Sequence, residues 1–481
     1  MIRSGFIPHR GLVARLLVSL WVVGWLLTPR AAQAERPSER PSERPSERPS
    51  YRMVRWVEDW SSFERDPQDP DPIDPIKNIR LGSVTSLSVG GQLRLRHESH
   101  QNPDFGLSPE VVHDVGLLRG LLHFDLRSRG GFRTFVELGT ALAAGGERPE
   151  RAIDENRLSV RQAFGEAAGL GRHGRLRLRV GRQELPLGSG RLVALRDGPN
   201  VRLSFDGVRL TLMHERGTVD ALGVTGVAIK PGVFDDFADP GEALWGLYST
   251  TTVLGDGRLS IDAYYLGQRR ERASFGTDTG PEHRHSVGTR LFGARGPYDY
   301  NMELIGQTGA FAGRPIAAWT VATDQGLSLR RAGITSRAGL RANVTSGGAT
   351  GSRWLHTFNA LYPNLAYFSQ FALFSPANHV DLHPRVTVDV LGKLELEVAS
   401  DWFWRTSLQD SVYAPPGVPI AAPEDLSGHF LGHELTTSAS LSLGRHATLT
   451  GYYSRFWVGP VIRSLGGTNV DFLAFWLSVR W

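Results

Sequence analysis

Hydrophobic and polar residues alternate along most of this chain, from about residue 85 to its end. Leu87, Val89, Leu93 and Leu95, for example, are separated by polar or small residues. The same period of two recurs at 122–127, 340–344, 394–398 and 435–443. It is typical of β-strands with one apolar and one polar face. Breaks that contain glycine, asparagine or aspartate separate these segments, and no long helical pattern is present, so the sequence predicts an all-β protein.

The last strand favours a membrane barrel over a soluble sandwich, the alternative for such a pattern. In the closing segment, NVDFLAFWLSVRW, the apolar residues Leu473, Phe475, Leu477 and Val479 share one face, and the chain ends in an aromatic residue, Trp481. Outer-membrane barrels turn such a face to lipid. Residues 85–481 supply 16 to 20 strands at roughly 20–25 residues for each strand with its connections. We therefore predict a transmembrane antiparallel β-barrel of about 18 strands (16–20) over residues 81–481.

The first 80 residues lack this alternation. Arg3, Arg10 and Arg15 form a basic region before an apolar core from Leu16 to Leu27, and Ala32-Gln33-Ala34 forms a small-x-small cleavage site. This layout predicts a secretory signal peptide over residues 1–34 and export to the outer membrane. Residues 35–50 repeat Glu-Arg-Pro-Ser four times without an apolar residue. Because such a segment has nothing to bury, we predict a disordered periplasmic spacer over residues 35–80.

Charge and cysteine content narrow the possible functions. The full chain has 54 lysines and arginines against 49 acidic residues, and removal of the predicted leader, with four arginines and no acid, leaves the mature chain almost neutral. A nearly neutral chain is not a general nucleic-acid binder. The sequence contains no cysteine, which excludes disulfides and thiolate metal sites. Any cationic function must therefore come from the placement of the arginines.

The alternation also predicts which charged residues face the lumen. An arginine on the lipid-facing side of a barrel costs about 2–4 kcal/mol near the middle of the membrane, whereas a water-filled lumen tolerates it. In GRLRLRVGRQEL (174–185), Arg175, Arg177 and Arg179 share one face, which we expect to point inward. The predicted pore-lining arginines are Arg94, Arg96, Arg119, Arg133, Arg161, Arg177, Arg179, Arg290, Arg341 and Arg405, and the predicted lumen acids are Asp299, Glu303 and Asp401.

The order of these charges along the chain predicts the character of the lumen. Arginine dominates the early strands, and acids become more frequent in the later ones. We therefore expect a cationic wall that faces acidic residues and attracts anions. The alternative is that these charges only pair with one another and stiffen the barrel.

Several longer stretches resemble the alginate export family of outer-membrane barrels. They are VGRQELPLGSGRLVALRDGPNVRLSFDGVRL (180–210), RHSVGTRLFGARGPYDYNMELIGQTGAF (284–311) and DWFWRTSLQDSVY (401–413). The resemblance implies an eighteen-stranded barrel that passes polyuronate alginate through an arginine-lined, anion-selective lumen. It implies Arg182 as a further pore-lining, substrate-binding residue, and it draws attention to Arg191, Arg196 and Arg202 in a connection long enough to fold toward the lumen. The Glu-Arg-Pro-Ser repeats are not part of the family pattern.

These observations predict a passive channel for an anionic polysaccharide or a smaller organic anion. The alternatives are a general diffusion pore or plugged barrel, and a binding or assembly partner whose repeats engage a periplasmic protein. We expect a monomer that contacts outer-membrane lipid and periplasmic export proteins but no nucleic acid, and that is not an enzyme and needs no cofactor. We expect no metal site, since His283 and His285 lack further ligands. A barrel enzyme built on Ser375, His379 and His383 is a weaker alternative.

Overall fold

Eighteen antiparallel strands form a closed barrel in the computed structural model of this chain. The structure describes residues 48–145, 153–171, 173–349, 351–364 and 366–481. The predicted signal peptide and residues 35–47 of the predicted spacer lie outside these ranges. Among the described residues, no helix is long and apolar enough to cross a membrane.

The barrel strands, numbered in chain order, account for most of the described chain. They are β1 (Thr85–Gln101), β2 (Val112–Ser128), β3 (Phe132–Ala144), β4 (Asn156–Leu170), β5 (Leu176–Gln183), β6 (Phe205–His214), β7 (Gly217–Ala228), β8 (Glu242–Leu254), β9 (Leu259–Phe275), β10 (Asp278–Arg295), β11 (Tyr298–Phe311), β12 (Arg314–Arg331), β13 (Ile334–Thr345), β14 (Val380–Val390), β15 (Leu394–Trp404), β16 (Phe430–Leu443), β17 (Ala447–Val458) and β18 (Val470–Arg480).

The remaining elements are short. They are the strands Ile79–Leu81, Phe237–Ala238, Val412–Ala414 and Val418–Ala421, the 3-10 helices Arg55–Val57, Asp74–Ile76, Pro103–Gly106 and Pro423–Asp425, and one α-helix, α1 (Pro460–Ser464). Ile79–Leu81 extends the sheet beside β1, and Val412–Ala414 pairs with Val418–Ala421 in a small hairpin of its own.

Pairing between the first and last strands closes the barrel. β1 pairs with β2 on one side and with β18 on the other, so that Arg94 is opposite both Arg119 and Ser478. On β18, Phe472 and Ala474 are buried, whereas Leu473 and Phe475 are 37% and 48% exposed on the outer surface. The antiparallel barrel of eighteen strands and the apolar outer face of its last strand confirm the sequence-based prediction of the fold.

The two ends of the barrel differ in the length of their connections. At one end, here called the turn end, neighbouring strands are joined by short segments such as 129–131 and 296–297. At the other, the loop end, three connections are much longer: 184–204, 346–379 and 405–429. Outer-membrane barrels have short periplasmic turns and long extracellular loops, and the two ends of this barrel differ in the same way.

The segment before the barrel differs from the expectation. Residues 48–80, which we assigned to a disordered spacer, pack against the inside of the barrel near the turn end. Trp56 is buried beside Phe135 and Phe164, two inward-facing residues of β3 and β4. The repeats alone suggest an unfolded chain, but the tryptophans and phenylalanine at 56, 60 and 63 provide apolar surface that the barrel interior buries.

Candidate functional site: the lumen of the barrel

The connection between β5 and β6, residues 184–204, folds into the lumen, and we call it the constriction loop. Its apolar side chains form a core inside the barrel with residues of the wall. From the loop these are Leu185, Leu187, Leu192 and Val193, and from the wall Phe205, Leu244, Leu266 and Ile305, all buried in one cluster. Because this apolar surface is removed from water only inside the barrel, burial favours the inward position of the loop.

A second loop, residues 346–379, meets the constriction loop inside the barrel. The backbone N–H of Tyr362 donates to the carbonyl of Leu192 at 2.8 Å, and the N–H of Ala194 donates to the carbonyl of Tyr362 at 2.9 Å. Val193 and Tyr362 thereby form a short parallel bridge. These backbone contacts join the two loops into one partition across the lumen.

Asp197, near the middle of the constriction loop, attaches it to the early strands. Its Oδ1 accepts from Nη2 of Arg119 at 2.6 Å and from Nε of Arg202 at 2.8 Å. Arg94 donates to the backbone carbonyl of Asp197 at 2.8 Å. Burial opposes the charge of the carboxylate, but Arg119, Arg202 and Arg94 outweigh burial and hold the pKa of Asp197 well below its usual range. Asp197 therefore compensates the like charges of Arg94 and Arg119, which face each other on adjacent strands.

Glu184, the first residue of the constriction loop, is in a different environment. Its carboxylate is fully enclosed, and its closest cation is Arg202, with Nη1 3.5 Å from Oε1. Burial, together with the nearby carboxylates of Glu137 and Asp197, outweighs the attraction of Arg202 and Arg161 and raises the pKa of Glu184 to about 8. Glu184 therefore carries a proton over much of the neutral pH range.

The protonation of Glu184 predicts a pH-dependent stability that glutamine should remove. The packed loop binds a proton that an unpacked loop releases above about pH 4.5, so its contribution to stability falls as the pH rises toward 8. We expect Glu184→Gln, which mimics the protonated acid, to raise the free energy of unfolding at pH 8.5 by about 1–3 kcal/mol and to have little effect at pH 4.5. Thermal unfolding in detergent at both pH values measures this. An equal difference between the two proteins at both pH values would contradict a protonated Glu184.

Glu303 of β11 holds the other side of the constriction loop. Its Oε2 accepts from Oγ of Ser189 at 2.6 Å and from Nε of Arg191 at 3.0 Å, and its Oε1 accepts from the hydroxyl of Tyr264 at 2.6 Å. Arg191 also donates to Oδ1 of Asn343 at 2.8 Å. Because β1 and β2, which Asp197 contacts, lie on the opposite side of the eighteen-stranded barrel from β11, the loop is anchored to both sides of the lumen.

On the later strands, a cluster of charged side chains retains access to water. Asp324 of β12 accepts from Arg385 at 2.6 Å and from Arg337 at 3.0 Å, and lies 3.7 Å from Nε of Arg341. Asp299 accepts from Nη2 of Arg337 at 2.6 Å. The five side chains are 19–25% exposed. We call this set, with three arginines and two aspartates, the open cluster.

Most of the predicted arginines of the early strands face inward, as the alternation requires, but they are covered. Arg94 and Arg119 lie beneath the constriction loop, Arg96 contacts Gly198 of that loop, and Arg161 donates to the carbonyl of Arg202. Arg133 is paired with Asp125, and both Arg177 and Arg179 lie beside Glu166. Apart from Arg177, these cations are enclosed against carboxylates or backbone oxygens. Arg177 is 3.6 Å from Glu166 and 36% exposed, so it retains access to water.

Two of the predicted pore-lining residues lie elsewhere, which corrects their assignment. Arg182 is an odd number of residues from Arg177 and Arg179 on β5, and it forms a two-bond ion pair with Asp206 on the outer side of the wall, at 2.8 Å for each bond. Arg405 follows the end of β15, where it is buried and donates to the carbonyls of Leu426 and Gly428. Arg405 therefore holds the connection 405–429 together.

The later predicted residues do face the lumen. Arg290 donates to Asp262 and Asn301 at 2.9 Å, and Arg341 and Asp299 belong to the open cluster. Asp401 is buried and bonded to His383, and Ser375 and His379 lie in the second loop. Within the described ranges, no group of three or more histidine or acidic side chains has the arrangement of a metal site.

The sequence analysis did not select Arg337, Asp324 and Arg385, although two signals indicated them. Arg337 is four residues before Arg341 on the same strand, so alternation places both on one face. Asp324 and Arg385 are opposite or diagonal to that pair on the neighbouring strands β12 and β14. The sequence analysis chose pore-lining residues mainly on the early strands, where arginines are most frequent. Whether an inward-facing arginine reaches water depends instead on which part of the wall the loops cover.

A family model for the alginate export family matches residues 85–475, which span almost the entire barrel. Among curated proteins, no sequence matches this chain.

Several solved structures share the fold of this chain. OccK11 (OpdR) of Pseudomonas aeruginosa has a TM-score of 0.51 and 14% identity, with 82% of this chain and 95% of that chain covered. OpdQ of the same organism has a TM-score of 0.55 and 11% identity, with coverages of 82% and 97%. OccAB1 of Acinetobacter baumannii has a TM-score of 0.54 and 12% identity, with coverages of 82% and 96%. At these identities the likeness establishes the barrel architecture alone.

Proposed function

Because this chain belongs to the alginate export family and has the barrel of an outer-membrane channel, we propose that it passes an anionic polysaccharide, of the alginate-like polyuronate type, or a smaller organic anion. Transport is passive and follows the gradient of the solute. The family and the fold are those of channels, and the mechanism requires binding and guidance of the solute.

The open cluster is the observation that carries this proposal. Arg337, Arg341 and Arg385 share Asp299 and Asp324 on a wall that retains water access, so the open cluster itself has one more cation than anions. A uronate carboxylate that enters the lumen can replace Asp324 as acceptor for one guanidinium while the other pairs persist. Such exchange compensates the anion for its lost hydration without holding it tightly, as conduction requires.

The solute path that we propose follows the later strands. The early strands are covered by the constriction loop and by residues 48–80. Among the described residues, neither of these segments is hydrogen-bonded to the open cluster on β11 to β14, although Arg341 donates to the carbonyl of Tyr367 in the second loop at 2.8 Å. With the turn end in the periplasm, as in other outer-membrane barrels, an anion that enters from the periplasm meets the open cluster before it reaches the partition formed by the two loops.

A plugged barrel or general diffusion pore is the second candidate, and the partition favours it. The constriction loop and the second loop are joined by backbone hydrogen bonds inside the lumen, and the arginines of the early strands are neutralised by Asp197, Glu166 and Asp125. A lumen in which every charge is compensated shows little preference between anions and cations.

Single-channel recording in planar bilayers tests the proposal. Under a salt gradient the purified full-length mature protein should give a reversal potential directed by the anion, and added oligouronate should block the current from the side of the turn end. Neutral oligosaccharides of the same length should block less. A reversal potential near zero with equal block by both sugars would favour the general diffusion pore, and an absence of conductance would favour the plugged barrel.

A further inference from the structure

Trp56 projects into the barrel among inward-facing residues of four adjacent strands. The ring lies 6.4 Å from Phe164 of β4 in an edge-on arrangement. The guanidinium carbon of Arg179 lies 3.8 Å from the centre of the ring, and that of Arg209 lies 5.9 Å away. Side chains on β3 to β6 thus form an aromatic and cationic pocket for one residue of the segment that precedes the barrel.

Oxygen atoms of the same segment occupy arginine donors that would otherwise face the lumen. Arg133 donates to the carbonyl of Trp56 at 2.7 Å, and Arg127 donates to the carbonyl of Glu58 at 2.6 Å. The carboxylate of Asp59 lies 2.6 Å from Nη1 of Arg127. The segment therefore uses its own carbonyls and carboxylate where an anionic solute would bind.

The segment is also attached to the seam of the barrel and to the constriction loop. Arg55 donates to the carbonyls of Gly91 at 2.7 Å and Trp481 at 2.8 Å, where the first and last strands meet. The carbonyl of Met53 accepts from Nη1 of Arg202 at 3.2 Å. Since Arg202 also bonds Asp197, one short chain of contacts connects the turn end of the barrel to the constriction loop.

We propose that residues 48–80 form an autoinhibitory strap that narrows the lumen from the turn end and holds the constriction loop across it. The docked strap is the low-conductance state of the channel. When the strap leaves, water fills the pocket around Trp56, and the N–H groups of Arg127 and Arg133 become available to anions. The constriction loop then loses the hydrogen bond between its Arg202 and the carbonyl of Met53. This regulation is distinct from the solute preference proposed above and holds for any solute that the barrel passes.

A reversible cross-link between the strap and the wall tests this inference. Because the chain contains no cysteine, the double variant Trp56→Cys with Phe164→Cys has two unique thiols. In the reduced double variant the strap lacks the indole ring of Trp56 that anchors it. Since the strap covers a large part of the wall, we expect the conductance to be about twofold higher than that of the unaltered protein. A short bis-thiosulfonate, which forms a disulfide with each cysteine and releases sulfinate, should return the conductance to the original value. A reductant that cleaves these disulfides should restore the increase.

The comparison within a single protein sample separates gating from misfolding. Each single-cysteine variant treated with the same reagent should be unresponsive, and Val57→Ala, which alters an exposed neighbour of Trp56, should behave like the unaltered protein. Equal conductance in the reduced and cross-linked states would overturn the strap inference and leave the channel proposal intact. If reduced and cross-linked proteins are both closed, the strap is not what limits conduction, which also overturns the inference.

Discussion

Replacing Asp197 with asparagine should detach the constriction loop from the early strands and widen the lumen. The change leaves Arg94, Arg119 and Arg202 enclosed without the carboxylate that compensates them. Removing one partner from a buried ionic network costs several kcal/mol, and since Asp197 retains a quarter of its exposure we expect a loss of about 2–4 kcal/mol. A released loop should appear as higher single-channel conductance and as a lower unfolding temperature in detergent.

Asp206→Asn is the matched control for this prediction. Asp206 also forms a two-bond pair with an arginine, Arg182, but on the outer side of the wall, and its carboxylate has no hydrogen bond to the constriction loop among the described residues. We expect the conductance of the Asp206→Asn variant to equal that of the unaltered protein, even if the substitution changes the stability of the barrel. Equal conductance in both variants would mean that Asp197 does not hold the loop in the pore.

Reversing two charges of the open cluster should reverse the ion preference of the channel. The cluster has three arginines and two aspartates, and Arg337→Glu with Arg341→Glu converts this small cationic excess into a strong anionic one. The side chains are partly exposed to the lumen, where fixed charge sets the local concentration of permeating ions. We expect the reversal potential under a salt gradient to change sign toward cations, and block by oligouronate to weaken at least about tenfold.

Arg330→Glu with Arg331→Glu makes the same change in net charge on the neighbouring strand, β12. Both residues are exposed at the turn end, beyond the part of the lumen that holds the open cluster. This control should shift the reversal potential only slightly and lose most of that shift at high salt, because charges in bulk water are screened. If the two double variants behave alike, selectivity is set at the mouth of the barrel and the open cluster is not the selective element.

The alternation of residues was sufficient to predict the barrel. Strand period, the face of the last strand and the length of the chain together predicted a membrane barrel of 16 to 20 strands, because lipid on the outside and water within impose opposite polarities on neighbouring residues. The resemblance to the family implied eighteen. The same rule puts Arg94 and Arg119 on the inner side of the wall, where both contact the constriction loop. It also places Arg182 outside, and the resemblance to the family, rather than the alternation, led to the opposite expectation.

The alternation of residues could not predict which parts of the inner wall are covered by the constriction loop and by residues 48–80. Whether an inward-facing arginine meets water depends on contacts such as Asp197 with Arg119 and Trp56 with Arg179, and these join residues far apart in the sequence. The repeats before residue 51 suggested an unstructured tail because they contain no apolar residue. Alternation identifies strands only, so it gave no indication that residues 48–80 are held in the barrel by three aromatic side chains and a few arginines. The sequence likewise did not indicate which acidic residue pairs with which arginine inside the barrel.

The contact between Arg55 and the carbonyl of Trp481 has a consequence for the order in which the molecule assembles. The two residues are 426 positions apart, and the carbonyl that Arg55 binds is in place only when the last strand has paired with the first. Such long-range contacts form late in folding, since the intervening chain must first be ordered. The beginning of the chain can therefore lock only onto a finished barrel. A barrel left open during insertion would keep its first segment unbound and accessible to proteases and chaperones, which would mark incomplete molecules before they conduct.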